Sequence, residues 1–108
     1  MQNVINEVDP YTLKQWLEND DILLFDIREQ NEYAAGYIAG SRLVPLSNFD
    51  AEDFPEDKNK KAVFYCGSSK RTGENAIRLL QTGFTDIYHL GGGLHAWGAV
   101  GLEIKTDS

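Results

Sequence analysis

The sequence predicts an α/β domain built on a mostly parallel sheet. Two nearly continuous apolar runs, residues 22–27 (ILLFDI) and 62–66 (AVFYC), have the look of strands covered on both faces. Stretches with helical apolar spacing alternate with these and other strand candidates along the chain. With 108 residues and 42% apolar content, one compact domain spanning residues 1–108 is expected, with a real core and no room for a second.

The elements follow in order. Val8-Asp9-Pro10 reads as a helix start, with Asp9 as the cap and Pro10 at the first helical position. Leu13, Trp16 and Leu17 then fall on one face, and Asn19-Asp20-Asp21 ends the helix. After the strand at 22–27, a short helix is expected over residues 29–35, closed by Gly36. Residues 42–46 (RLVPL) suit a short strand that Pro45 confines to an edge or a strand end. Residues 47–61, acidic and then basic with Pro55 inside, read as a loop holding one helical turn; the acidic part, 50–57, is a solvated face. The spacing predicts a single helix over 71–82, offering Ala76, Ile77, Leu79 and Leu80 to the core, with Gly83 as its cap. A strand at 86–90 (DIYHL), a tight turn at Gly91-Gly92-Gly93 and a helix carrying Leu94, Ala96 and Trp97 complete the chain.

Composition narrows the function. A net charge of −7 argues against general binding to nucleic acid or to anionic membrane surfaces, and no apolar run approaches a membrane span. One cysteine excludes an internal disulfide, which suits a reducing compartment, and a cytoplasmic protein without a signal peptide is expected. His89 and His95 stand six residues apart without a second cysteine nearby, so no metal is expected, and no cofactor either. The three glycines at 91–93 lack the spacing of a dinucleotide or P-loop motif.

The chemistry concentrates at Cys66. A lone cysteine at a strand end is ordinarily a small buried hydrophobe. Here, however, it ends a strand of a parallel sheet, where ligand sites lie. The loop that follows enters a helix, so its N–H groups and the helix dipole favour negative charge around the sulfur. Lys70 and Arg71 stand at that helix start in an otherwise acidic chain. Cations are unfavourable at a helix N-terminus, so a bound anion explains their placement best. Helix N-termini and nearby cations lower a thiol's pKa from its usual value of about 8.5, and the expectation is a thiolate nucleophile in a small anion-binding cradle. Gly67, Ser68 and Ser69 are small enough for the loop to curl around one atom. Asp26 and Arg28 end the first buried strand beside the site; a structural role, hydrogen-bonding neighbouring loops or pairing with a residue such as Glu32, outweighs a direct catalytic one.

These residues match a family. Phe25-Asp26-Ile27-Arg28, Glu32-Tyr33, Gly36-Tyr37-Ile38, Cys66 with the six residues after it, Gly83-Phe84, and Gly91-Gly92 with Trp97 occur in the order of a single-domain rhodanese. The chain resembles that thiosulfate sulfurtransferase-like family over about residues 8–104. The resemblance implies a central five-stranded parallel sheet with helices on both faces and a covalent persulfide on Cys66. It implies a small anionic donor such as thiosulfate and a thiol or cyanide acceptor, including a thioredoxin-like or other sulfur-relay protein. A persulfide carrier or redox-sensing partner module with little turnover is the alternative.

In that reading loop N–H groups stabilise the persulfide, Lys70 or Arg71 attracts the donor, and Thr72 with Ser68 or Ser69 donates to the sulfur. Fold relatives acting on phosphate or arsenate carry Cys-x5-Arg, whereas Cys66 to Arg71 is Cys-x4-Arg, a ring better sized for sulfur than for an oxyanion. The sequence departs from the family pattern at Ser69, where glycine is usual, and at Tyr37, where histidine is usual. If the first position needs φ > 0, serine is strained there; Tyr37 is expected to replace its histidine in packing and hydrogen bonding.

Overall fold

Five parallel strands in the order β1-β5-β4-β2-β3 form the sheet. The computed structural model describes residues 5–54 and 59–106. In chain order these are β1 (Asn6–Val8), α1 (Pro10–Glu18), β2 (Ile22–Asp26), α2 (Gln30–Ala35), β3 (Arg42–Leu43), β4 (Lys61–Tyr65), α3 (Lys70–Glu74), α4 (Ala76–Leu80), β5 (Asp86–Leu90) and α5 (Gly93–Ala99). The two strands with the longest apolar runs, β2 and β4, are neighbours near the middle of the sheet. Burial on both faces is the reason for their composition: Ala62, Val63, Phe64 and Tyr65 are all fully buried.

Alternation along the strands divides the core in two. On one face Leu24, Val63, Tyr65 and Leu90 meet Leu13 of α1 and Trp97 of α5. On the other, Phe25, Phe64, Cys66 and Ile87 meet Leu79 of α4 together with Phe54 and Phe84. Four phenylalanines interlock there, with Phe25 and Phe54 edge to face at 5.0 Å and Phe25 and Phe64 stacked at 5.2 Å.

The expected fold class, with its five parallel strands and helices, is observed, and four local differences have physical reasons. β1 has only three residues, too few to show a period, and it exists by pairing with β5. The strand expected at 42–46 stops at Leu43, and Pro45 instead opens a 3-10 turn, Leu46–Asn48. β3 is nevertheless an edge strand, with Pro45 two residues beyond its end. The loop after it has a second 3-10 turn, Ala51–Asp53; Pro55 and the rest of the acidic stretch to Asp57 lie outside the described residues.

The single helix expected over 71–82 is two, α3 and α4, separated at Asn75 with φ −111° and ψ 22°. Asn75 donates both its backbone N–H and its side-chain Nδ2 to the Arg71 carbonyl, at 3.1 and 2.8 Å, a side-chain competition that interrupts helices. Ile77, expected in the core, is 57% exposed while Leu79 is fully buried. At about 100° per residue the two lie on nearly opposite sides of a helix, so both cannot face the sheet.

Candidate functional site

Cys66 follows β4 at its carboxyl end, between β2 and β5, and is fully buried. The chain turns through Gly67, Ser68 and Ser69 before α3 begins at Lys70. Ser69 has φ 77° and ψ 0°, so the left-handed position foreseen for it is real and is occupied by a residue with a Cβ. Among the described residues the N–H groups of Gly67, Ser68 and Ser69 have no protein acceptor. They are the backbone donors open to a ligand at this loop. The helix expected behind them supplies less than foreseen, because α3 is only five residues long and a macrodipole needs length.

The carbonyl side of the loop is held from behind by α5. Leu94 donates its N–H to the Cys66 carbonyl at 2.8 Å and His95 donates to the Gly67 carbonyl at 2.9 Å. Gly93 makes this approach possible: its φ is 61°, and a Cβ there would lie 2.6 Å from the Gly67 carbonyl oxygen and closer still to that of Cys66. The glycine run at 91–93 is thus a tight strand-to-helix turn, as expected, and also the clamp on the Cys66 loop. That second role leaves a trace in the sequence only as one glycine more than a turn needs.

The two cations of the loop have different fates. Arg71 makes a bidentate pair with Glu32, Nη1 to Oε1 at 2.8 Å and Nη2 to Oε2 at 2.9 Å. The guanidinium holds the Glu32 carboxyl down at about 2, and Glu32 in turn raises Arg71. Glu32 also accepts from the backbone of Glu29 at 3.0 Å, closing a capping box on α2. Arg71 therefore ties the loop to α2 with its charge already answered, although its Nη2 still lies near Gly67. Lys70 is exposed and has no ion-pair partner among the described residues.

Asp26 and Arg28 pair with each other rather than with Glu32. Arg28 donates from Nε at 3.0 and 3.1 Å and from Nη2 at 2.8 Å to the Asp26 carboxylate, and Nη2 also donates to the Gly36 carbonyl at 2.6 Å. Both are buried, and their geometry fixes the chain after β2 to the segment that follows α2. Arg28 also lines, with Gly67, Leu94, His95, Ala99 and Ile104, a cavity of about 480 Å³ that opens beside the loop. Tyr37 stacks on Tyr33 with ring centroids 4.3 Å apart, and its backbone bridges to Lys105.

Thr72 is fully buried, with Oγ1 4.0 Å from the Cys66 sulfur, 3.0 Å from the Ser69 carbonyl and 2.7 Å from His89 Nδ1. His89 was not among the residues singled out from the sequence as part of this site. Burial lowers its pKa from the usual 6.5, and Glu7 opposes that shift. The register explains its presence: His89 sits on β5 opposite Phe64 of β4 and Glu7 of β1, one strand over from Cys66.

The chain is similar to several known proteins. A sulfurtransferase of Allochromatium vinosum is 33% identical over 102 residues, covering 94% of this chain and 95% of its own. An uncharacterised protein of Synechocystis is 37% identical over 102 residues, 94% of this chain and 57% of its own. A second uncharacterised relative, from Bacillus subtilis, is covered over 60%, so the chain spans somewhat more than half of each of these two proteins. Among solved structures, the Alr3790 protein of Anabaena superposes with a TM-score of 0.79 at 28% identity, over 92% of this chain and 91% of its own. A thiosulfate sulfurtransferase of Pseudomonas aeruginosa superposes at 0.84 with 18% identity, over 96% of this chain and 21% of its own, which speaks to the fold. The rhodanese-like domain profile matches residues 9–100, and the chain belongs to the rhodanese-like domain family.

Proposed function

We propose that the chain is a sulfurtransferase that carries sulfane sulfur as a persulfide on Cys66. One observation carries this reading: a buried cysteine at the carboxyl end of a central strand is followed by three loop N–H groups that have no protein acceptor among the described residues. Gly67 and Ser69 are only partly exposed, and a negatively charged sulfur at the centre of the loop would give these donors an acceptor. The family and the sulfurtransferase named among its relatives support it.

The reaction divides in two. The Cys66 thiolate attacks the outer sulfur of a donor such as thiosulfate; the donor S–S bond breaks and sulfite leaves with its electron pair. An acceptor thiolate or cyanide then attacks the outer sulfur of the persulfide, the new S–S bond breaks, and Cys66 leaves as thiolate. No oxidant, metal or cofactor enters this balance. Lys70 is the charge best placed to draw in an anionic donor, because Arg71 is answered by Glu32.

The same pairing favours a second reading. With one unpaired cation at the loop and a cavity of about 480 Å³ beside Gly67, a larger donor or acceptor such as a thioredoxin-like or other sulfur-relay protein fits. In that case the domain works as a persulfide carrier in the cytoplasm. Intact mass after thiosulfate treatment tests the common step: wild type gains one sulfur atom and Cys66→Ser gains none. Thiocyanate production with cyanide then separates the readings, being rapid for an enzyme and slow without a partner for a carrier. Hydrolysis of an aryl phosphate dependent on Cys66, with no sulfur gain, overturns both.

A further inference from the structure

Cys66 is fully buried, so the proton its thiol loses on ionising needs a way out. A line of polar atoms leads from it. Thr72 Oγ1 is within reach of Cys66 Sγ at 4.0 Å and lies 2.7 Å from His89 Nδ1. On the far side of the imidazole, Nε2 is 3.9 Å from Glu7 Oε1. Exposure rises along this line: Cys66 and Thr72 are closed to solvent, the His89 side chain is 13% exposed and that of Glu7 69%. Four elements contribute one member each, the end of β4, α3, β5 and β1.

We propose that Thr72 and His89 are the proton path of Cys66, with Thr72 as relay and His89 as acceptor. The thiol S–H bond breaks as its proton passes to Thr72 Oγ1. In the same movement the Thr72 O–H bond breaks and that hydrogen passes to His89 Nδ1. The products are a Cys66 thiolate and a His89 imidazolium, with no change of oxidation state. The Nε2 proton then leaves to water at the exposed end, beside the Glu7 carboxylate. The reverse sequence returns a proton to Cys66.

The surroundings of His89 suit an acceptor. The groups facing it are Glu7 from β1, the apolar Phe64 from β4, and Thr72 from α3 with Cys66 behind it. Burial favours the neutral ring, which keeps a nitrogen lone pair, and with the Glu7 carboxylate 3.9 Å from Nε2 favouring the N–H there, Nδ1 is the nitrogen left to accept. The Thr72 hydroxyl has two acceptors for its one hydrogen, the Ser69 carbonyl at 3.0 Å and His89 Nδ1 at 2.7 Å, and the relay runs when that hydrogen turns to His89. Nothing in the sequence joins residue 89 to residues 66 and 72; the strand order does.

The inference rests on Cys66 being the nucleophile, and its test needs no sulfur donor. The whole chain is treated with iodoacetamide across a range of pH, and the rate of adduct formation on its single cysteine is followed by intact mass. His89→Phe and Thr72→Val are each expected to slow alkylation near neutral pH on the order of 100-fold, the scale of a general base, and to move the profile to higher pH. The double variant is expected to be no slower than either single one, because both break the same path. Thr72→Ser, which restores a hydroxyl, is expected to return the wild-type profile. Folded variants that keep that profile, or a Thr72→Ser chain as slow as Thr72→Val, overturn the proposal. If His89→Phe loses its near-ultraviolet circular dichroism, Thr72→Val decides, since it exchanges only a hydroxyl for a methyl. Should the profile respond as expected while thiosulfate adds no sulfur to Cys66, the sulfur-transfer reading fails and the proton path stands.

Discussion

Replacing Ser69 with glycine isolates the strain held in the Cys66 loop. Ser69 has φ 77° and ψ 0°, a left-handed conformation that costs an L-residue about 1–2 kcal/mol. Glycine adopts it freely but loses more freedom on folding, an opposing effect of about 0.4–1 kcal/mol. The interactions of Ser69 run through its carbonyl, which accepts from Thr72 Oγ1 and Gly73 N, both at 3.0 Å, and these survive the change. Ser69→Gly is therefore expected to stabilise the domain by about 0.5–1 kcal/mol. For a chain of this size that is a rise in Tm of about 2–8 °C. Urea and thermal unfolding measure it, with Ser69→Ala as the control that keeps the strained Cβ and is expected to stay close to wild type. A Ser69→Gly protein less stable than wild type, or an alanine variant stabilised as much as the glycine one, refutes the reasoning. Sulfur gain on Cys66 is expected to persist, because glycine holds the same loop shape.

Other changes probe the supports of the site. Gly93→Ala places a Cβ against the carbonyls of Cys66 and Gly67 at a φ of 61°; urea unfolding is expected to show a loss of about 2–5 kcal/mol, together with reduced alkylation of Cys66. Asp26→Asn leaves the buried Arg28 guanidinium without its counter-charge, and a loss of about 3–5 kcal/mol is expected; stability within experimental error of wild type would refute that account. The Glu32 carboxyl lies at about 2 in the folded chain, against an ordinary 4.5. A depressed carboxyl stabilises the fold above its unfolded pKa and loses that contribution as pH falls through the folded value, so the stabilisation from the Arg71–Glu32 pair is lost progressively between about pH 4.5 and 2. Both side chains are about one-third exposed, so the contribution is about 1 kcal/mol or less. Glu32→Gln is expected to flatten stability over that window, and a slope equal to wild type would show that other carboxylates account for it.

The elements legible in the sequence are those with a local cause. Residues 22–27 and 62–66 are apolar without interruption because they are covered on both faces, and they became β2 and β4. Cys66 stands at the end of the second run, so its place at the carboxyl edge of the sheet followed from the fold class. The left-handed Ser69 was hinted at only through the resemblance, since the family usually has glycine at that position, and the φ of 77° bears the hint out. The helix after it was less legible: Ile77 and Leu79 are both apolar, but only the interruption at Asn75 and the packing of α4 decided which faces inward.

What the sequence by itself determined is the parallel α/β frame, the cysteine at its centre and the size of the loop around it. Only the tertiary structure decided the partners of the charged and polar groups. Glu32, proposed as a partner for Asp26 or Arg28, binds Arg71 instead, 39 residues away. Leu94 and His95 clamp the Cys66 loop, and His89 reaches Thr72 across 17 residues. No local period links such positions. They meet because β5 lies beside β4 and β1 beside β5, an order set by how the helices cover the two faces of the sheet and carried by no single stretch of the chain.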